Sequence, residues 1–261
     1  MPKKVLNIMS YSHTKPCNID PSHIDQVRDY LAQFGITQFF YGIISKAKEP
    51  SSQEFNKLRR RRPLEMLKAK RVICSSPAIL EYRHSYLQYF AASDEGYAGK
   101  QHMGPNIFKE VDIRTIKGQQ LQRLNEEHGI QSRMLWLLPI KYHSDWQGGF
   151  VLFSDLDTEM LKQRVMANQT QIEHQLTLYS CLFNDQCIDQ LNPISNFNCL
   201  SPKALQVLKL TAQGYSCEEI GEQLVMTESG VHYHQNRLKE LFNAKNRAQL
   251  VSFAHSLGVL D

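Results

Sequence analysis

His232, Tyr233 and Asn236 fall on one face of the segment 228–242, whose apolar residues Val231, Leu238, Leu241 and Phe242 fall on the other. A step of about 100° per residue, the turn of an α-helix, makes that division. Ser229, Lys239 and Glu240 share the outward face, while His234 turns inward as a structural histidine. Hydrogen-bonding tips on an exposed helix, in place of the Glu/Lys mixture of an idle solvated surface, suit contact with base edges in the major groove. Arg237, Lys239, Lys245 and Arg247 supply cations for phosphate oxygens, contacts that position a helix without reading sequence.

Four short helices are needed to hold that face in place, and residues 200–261 carry their start signals. Ser201 caps the first, with Pro202 at a position where its missing N–H costs nothing. Leu205, Leu208 and Ala212 repeat at helical spacing up to Gly214, a residue type that ends helices. Ser216-Cys217-Glu218-Glu219 has the form of a capping box ahead of Ile220 and Leu224. Thr227 caps the third helix. Only Val225 and Met226 separate the second helix from that cap, which requires a sharp helix-turn-helix.

The series L-S-P-K-x-L-x-V-L-x-L-x-x-x-G, E-I-G-x-x-L, T-E-S-G-V-H-Y-H-Q-N and K-N-R resembles the C-terminal DNA-binding domain of LuxR-family transcription regulators. It departs from the family at Gly230-Val231-His232, where Thr-Val-Lys is usual, and at Leu241-Phe242, where Lys-Leu is usual. The resemblance implies base reading by His232 and Asn236 within a DNA-contacting set of Thr227, Ser229, His232, Tyr233, Asn236, Arg237, Lys239, Lys245 and Arg247. Its implied partners are an imperfectly palindromic double-stranded operator, a second copy of the chain and RNA polymerase.

The N-terminal part predicts a mixed architecture. A helix over 21–35 uses Ile24, Val27 and Leu31; a buried strand spans 36–45. An aromatic helix covers 77–94, a helix over 107–130 stops at Gly129, and two antiparallel strands over 133–156 turn near Ser144-Asp145. A long amphipathic helix over 157–185 follows, with Leu161, Val165, Ile172, Leu176, Tyr179 and Phe183 on one side. Residues 186–199 read as an interdomain linker, dividing 1–185 from 200–261.

That order is similar to the autoinducer-binding domain of the same family, best in EEHGI, LLPI and GGFVLFS. It implies an α+β chain: an N-terminal α/β/α sandwich whose five-stranded sheet encloses a small-molecule pocket, then the all-α four-helix domain. The implied ligand set is Tyr82, Tyr86, Tyr89, Phe90, Asp94, Phe108, Trp136 and Ser154; the aromatics at spacings of three and four serve equally as core. Departures fall on ligand positions. Glu95 follows Asp94 where Pro is usual, Leu80 replaces a Trp, and Arg133 stands where Gly is usual. Three occupants stay open: an acyl-homoserine lactone, another small signal, or none, the domain then serving only to dimerise or to bind a protein.

Composition bounds the rest. The chain has 261 residues, 42% hydrophobic, with net charge +4. In 200–261, six cations (Lys203, Lys209, Arg237, Lys239, Lys245, Arg247) stand against six acids (Glu218, Glu219, Glu222, Glu228, Glu240, Asp261), so one copy should bind DNA weakly and a dimer should be needed. The most basic run, Arg59–Arg62 with Lys68, Lys70 and Arg71, is a solvated face or an anionic-partner surface. Six cysteines without CxxC or metal-like spacing, no signal peptide and no long apolar run predict reduced thiols, no metal, no cofactor, no membrane partner and a cytoplasmic site. No G-x-S-x-G, H-E-x-x-H, P-loop or dinucleotide fingerprint is present, so no catalytic residue is assigned.

Overall fold

The computed structural model describes residues 14–45, 69–94 and 101–260. Its chain order is β1 (Lys15–Pro16), α1 (Pro21–Ala32), β2 (Ile36–Ser45), β3 (Arg71–Cys74), α2 (Pro77–Tyr89), β4 (Gly104–Ile107), α3 (Ile116–Glu127), β5 (Ser132–Pro139), β6 (Trp146–Ser154), α4 (Thr158–Ala167), α5 (Gln169–Leu191), α6 (Pro193–Asn196), α7 (Pro202–Ala212), α8 (Cys217–Leu224), α9 (Glu228–Phe242) and α10 (Arg247–Ser256). The Arg59–Arg62 run lies outside the described residues.

The long strands β2, β5 and β6 form where aromatic and β-branched residues accumulate. Among the described residues they lie at the centre of a six-stranded sheet of order β1-β3-β2-β6-β5-β4. All neighbours are antiparallel except the parallel pair β1–β3. Five strands were expected; the sixth here is the two-residue β1. β4 was also unexpected, because Gly-Pro-Asn-Ile carries no strand pattern, and its last residue, Ile107, opened the helix predicted over 107–130. That helix starts only at Ile116, where Thr115 Oγ1 accepts from Gly118 N at 3.0 Å.

Both sheet faces are covered. Phe39, Tyr41, Met134, Trp136, Phe150 and Leu152 belong to one apolar core with Leu161, Val165, Ile172, Leu176 and Phe183 of α4 and α5. Within it, the Tyr41 hydroxyl donates to Asn184 Oδ1 at 2.8 Å and lies 2.9 Å from Ser180 Oγ, joining β2 to α5. On the opposite face Phe153 packs with Ile79, Tyr82, Tyr86 and Leu121 of α2 and α3.

Two expectations along this stretch are corrected. The single helix over 157–185 is two, broken at Asn168 (φ −123°, ψ 16°), whose side-chain amide donates to Arg164 O while its backbone N–H shifts to Val165 O. Residues 186–199, read as a linker, are structured. α5 runs on to Leu191 with a kink at Cys187, and α6 follows at once. Asn192 is fully buried and donates to the carbonyls of Ile188, Asp189 and Leu257, so it ties α5 to the end of α10. Asn196 pairs with the Arg71 backbone through both ends of its amide, at 2.8 and 3.0 Å, as a neighbouring strand would.

The helical segment follows its start signals. Ser201, Thr227 and Asn246 cap α7, α9 and α10, and at α8 both halves of the Ser216/Glu219 capping box are formed. The turn between α8 and α9 is closed by Val225, left-handed at φ 51° and 90% exposed. Gly221 makes room for it: a Cβ there would stand 2.7 Å from Met226 O.

Candidate nucleic-acid interface and ligand cavity

Val231, Leu238, Leu241 and Phe242 anchor α9 in the core. Ser229, His232, Tyr233 and Asn236 are all exposed, and Lys239 is half-buried beside them. The polar face is therefore presented as one strip. Thr227 is exposed, but its hydroxyl is spent on the cap, accepting from Gly230 N at 3.2 Å. His232 Nε2 lies 3.6 Å from Glu228 Oε1, one turn back, and its Nδ1 lies 3.8 Å from Cys217 Sγ. His234 turns toward α7 and lines a groove with Leu200, Ala204 and Leu238.

Gln235 is a residue the sequence reading missed. Its amide donates to Thr211 Oγ1 at 3.1 Å and its oxygen accepts from Cys217 Sγ at 3.4 Å, so it fixes α9 against α7 and α8. A helical wheel places it between the two faces and leaves its role open. Arg247 departs from the expected phosphate contact. Its guanidinium donates to Thr211 O at 3.0 Å and to Tyr215 O, satisfying carbonyls at the end of α7. Lys245 is exposed, with only its backbone N–H held, by Gln249 Oε1.

The cavity lies between α2 and the sheet, with a volume of about 80 Å³. Strand alternation decides who lines it: Phe40 and Ile44 of β2, Leu135 of β5, and Val151 and Phe153 of β6 point inward. Gly42 and Gly149 sit opposite each other on β2 and β6, and the space a side chain would fill stays open. Tyr82, Tyr86 and Phe108 line it as expected.

Other members of the expected ligand set are elsewhere. Trp136 follows the cavity-facing Leu135 by one residue, so strand alternation turns it to the opposite face and into the other core. Ser154 is fully buried and donates to Gly35 O at 2.5 Å, at the far end of β6. Tyr89 is 54% exposed on the outer side of α2. Phe90 and Asp94 border a separate, open groove with Arg114 and Thr115, and Arg133 borders both spaces.

Arg133 was noted only as a departure, and it organises the polar end. Its Nη2 pairs with Asp94 Oδ2 at 2.8 Å with both side chains nearly buried, and its guanidinium stacks on Tyr86 and Phe108 at 5.1 and 5.3 Å. The Tyr86 hydroxyl donates to the same Asp94 oxygen at 2.8 Å; Tyr82 donates to Asn125 Oδ1 at 2.9 Å. Burial works against the Arg133 charge, but Tyr82, Tyr86 and Asp94 outweigh it and hold the guanidinium above its ordinary pKa. Burial also raises both tyrosines, Arg133 opposing, so they stay neutral donors. Arg71 and Arg83 line the cavity as well, which no local pattern in the sequence signals.

A tight helix-turn-helix whose second helix presents a polar strip defines the DNA-binding class. Residues 198–254 match the family described as bacterial regulatory proteins, luxR family, and the chain carries a LuxR-family helix-turn-helix domain. Among relatives, it is 27% identical to the oxygen regulatory protein NreC of Staphylococcus carnosus over 117 residues, covering 43% of this chain and 54% of NreC. It is 28% identical to the quorum-sensing regulator RhlR of Pseudomonas aeruginosa over 145 residues, covering 50% of this chain and 58% of RhlR. The chain thus spans about half the length of these relatives. The crystal structure of Escherichia coli SdiA is similar at 15% identity and a TM-score of 0.41, covering 93% of each chain.

Proposed function

We propose that this protein is a sequence-specific DNA-binding transcription regulator that acts as a dimer in the cytoplasm and is controlled by a small molecule in its sheet domain. The exposed strip His232–Tyr233–Asn236 on α9, braced from behind by Gln235, carries the DNA-binding part. His232 and Asn236 lie one turn apart and read base edges; Arg237, Lys239 and Lys245 contact phosphates. Two copies set two such helices on half-sites about one turn of DNA apart, which makes the operator an imperfect palindrome. We assign residues 1–185 to the ligand and dimerisation domain and 200–261 to the DNA-binding domain, with RNA polymerase a partner at the promoter. Similarity to RhlR over 145 residues, more than the 57 of the family match, supports a shared regulatory domain. Among the described residues no helix is long and apolar enough to cross a membrane.

Ligand control works by mass action: a molecule that binds the folded dimer stabilises it and raises operator occupancy. The test is selection of bound sequences from random DNA by the full-length protein, followed by titration of the winner with and without host-cell extract. A palindrome bound near 10⁻⁸ M, the range of specific regulators, supports the reading; affinity equal to that for random DNA refutes it. The alternative, a sheet domain that only dimerises or binds a protein, draws on the small cavity and on an Asp94 already engaged by Arg133 and Tyr86. An operator affinity and a melting midpoint that no extract changes would favour it.

A further inference from the structure

We infer that Ser144 and Asn243 form a clasp that fixes the angle of α9 to the sheet domain and so sets the half-site spacing the protein accepts; this rests on the reading of the protein as a dimer on a palindrome. Asn243 Nδ2 donates to Ser144 Oγ at 2.6 Å, across 99 residues of chain. The donor directly follows the last turn of α9, the helix that carries His232 and Asn236. The acceptor lies in the loop between β5 and β6.

Both ends of the clasp are held. Ser144 is exposed, but His143 and Asp145 on either side are buried, at 6% and 5% exposure. The His143 ring stacks on Trp146 at 4.7 Å and meets Asp145 N–H at 3.1 Å, and Trp146 N donates back to His143 O. Asn243 is fixed in a left-handed conformation at φ 52°, its N–H bonded to carbonyls of α9. Glycine takes that position after α7 and α10, at Gly214 and Gly258, and offers no side chain. Asparagine tolerates the same backbone and adds the donor that the clasp uses.

A second tie lies apart from the first. Asn192 donates to Leu257 O at the end of α10, and Asn196 pairs with the Arg71 backbone at the start of β3. One tie leaves the helical domain free to turn about it; two fix its angle. Ser229, His232, Tyr233 and Asn236 stay exposed with both ties made, so the clasp orients the reading face without covering it. In a dimer, two reading faces held at fixed angles fit half-sites at one separation only.

The test takes the palindrome that the full-length protein selects from random DNA and lengthens its centre by about half a helical turn, roughly 5 base pairs. The parent should lose about a hundredfold or more in affinity, because only one half-site can then be engaged. In Ser144→Ala and in Asn243→Gly, which keeps the left-handed backbone, that penalty should shrink about fivefold, the effect one hydrogen bond carries. Ser144→Thr, which keeps a hydroxyl, should restore it, and a single half-site should bind parent and variants alike. A parent indifferent to spacing, an unchanged penalty in both variants, or equal weakening on every DNA overturns the inference and leaves a dimer on a palindrome standing. If the parent selects no palindrome, the dimer reading falls and the clasp with it.

Discussion

Asn236 and Lys245 are both exposed, yet they are expected to fail differently when truncated. Asn236→Ala should relax selectivity at one base pair and cost about 1–3 kcal/mol on the operator alone. Lys245→Ala should weaken operator and random DNA alike and reduce the salt slope by about 1. Quantitative gel shifts on both DNAs at several salt concentrations check the pair; the reverse pattern would exchange the two roles. The outward strip was legible because helical spacing is local: once Val231, Leu238 and Phe242 are buried, Asn236 has only one way to point. The cavity was half legible. A sheet buried on both faces gives near-continuous apolar strands, so nothing in RMLWLLP says that Arg133 and Leu135 face the cavity while Trp136 faces α5.

Start signals mark the helices more clearly than any propensity. The capping box at α8 has a measurable acid signature. Glu219 accepts from the Ser216 N–H at 2.7 Å, which, with the Ser216 side chain, holds its pKa below the ordinary 4.5. A carboxylate whose pKa is lowered on folding contributes stability that is full above its unfolded value and is lost as pH falls through the folded one. The melting midpoint of Glu219→Gln should therefore lie below that of the parent at neutral pH, the gap closing as pH drops below 4.5. The turn after α8 works the other way. Val225 holds a left-handed backbone that a β-branched residue resists, so Val225→Gly should stabilise by about 1 kcal/mol in denaturant melts. Gly221→Ala, facing Met226 O, should destabilise. What the sequence hid at this scale were β3, β4 and the break at Asn168: short strands and kinks are set by partners distant in the chain.

At the scale of the molecule, the two parts are joined by polar groups as well as apolar ones. Asn192 bonds to Leu257 O, and Asn243, at the C-terminal end of α9, reaches Ser144 Oγ in the β5–β6 loop at 2.6 Å. Dimerisation is proposed to use α5, where Leu178 is 53% exposed. Leu178→Glu should shift sedimentation toward the monomer and weaken operator binding far more than non-specific binding; an unchanged dimer would move the interface elsewhere. The neutral charge of 200–261 was readable from counting alone, whereas the anchoring role of Asn192 required knowing that the supposed linker is helical.

Among the described residues the sheet ends at β1 and β4, short strands that carry Pro16 and Pro105. A proline offers no N–H to an incoming chain, and a two- or four-residue rim gives little to pair with. Neither rim can template ribbon growth from one copy to the next. Crowding this protein should therefore not drive edge-to-edge growth into fibres, and concentrated solutions should scatter light as discrete particles of fixed mass.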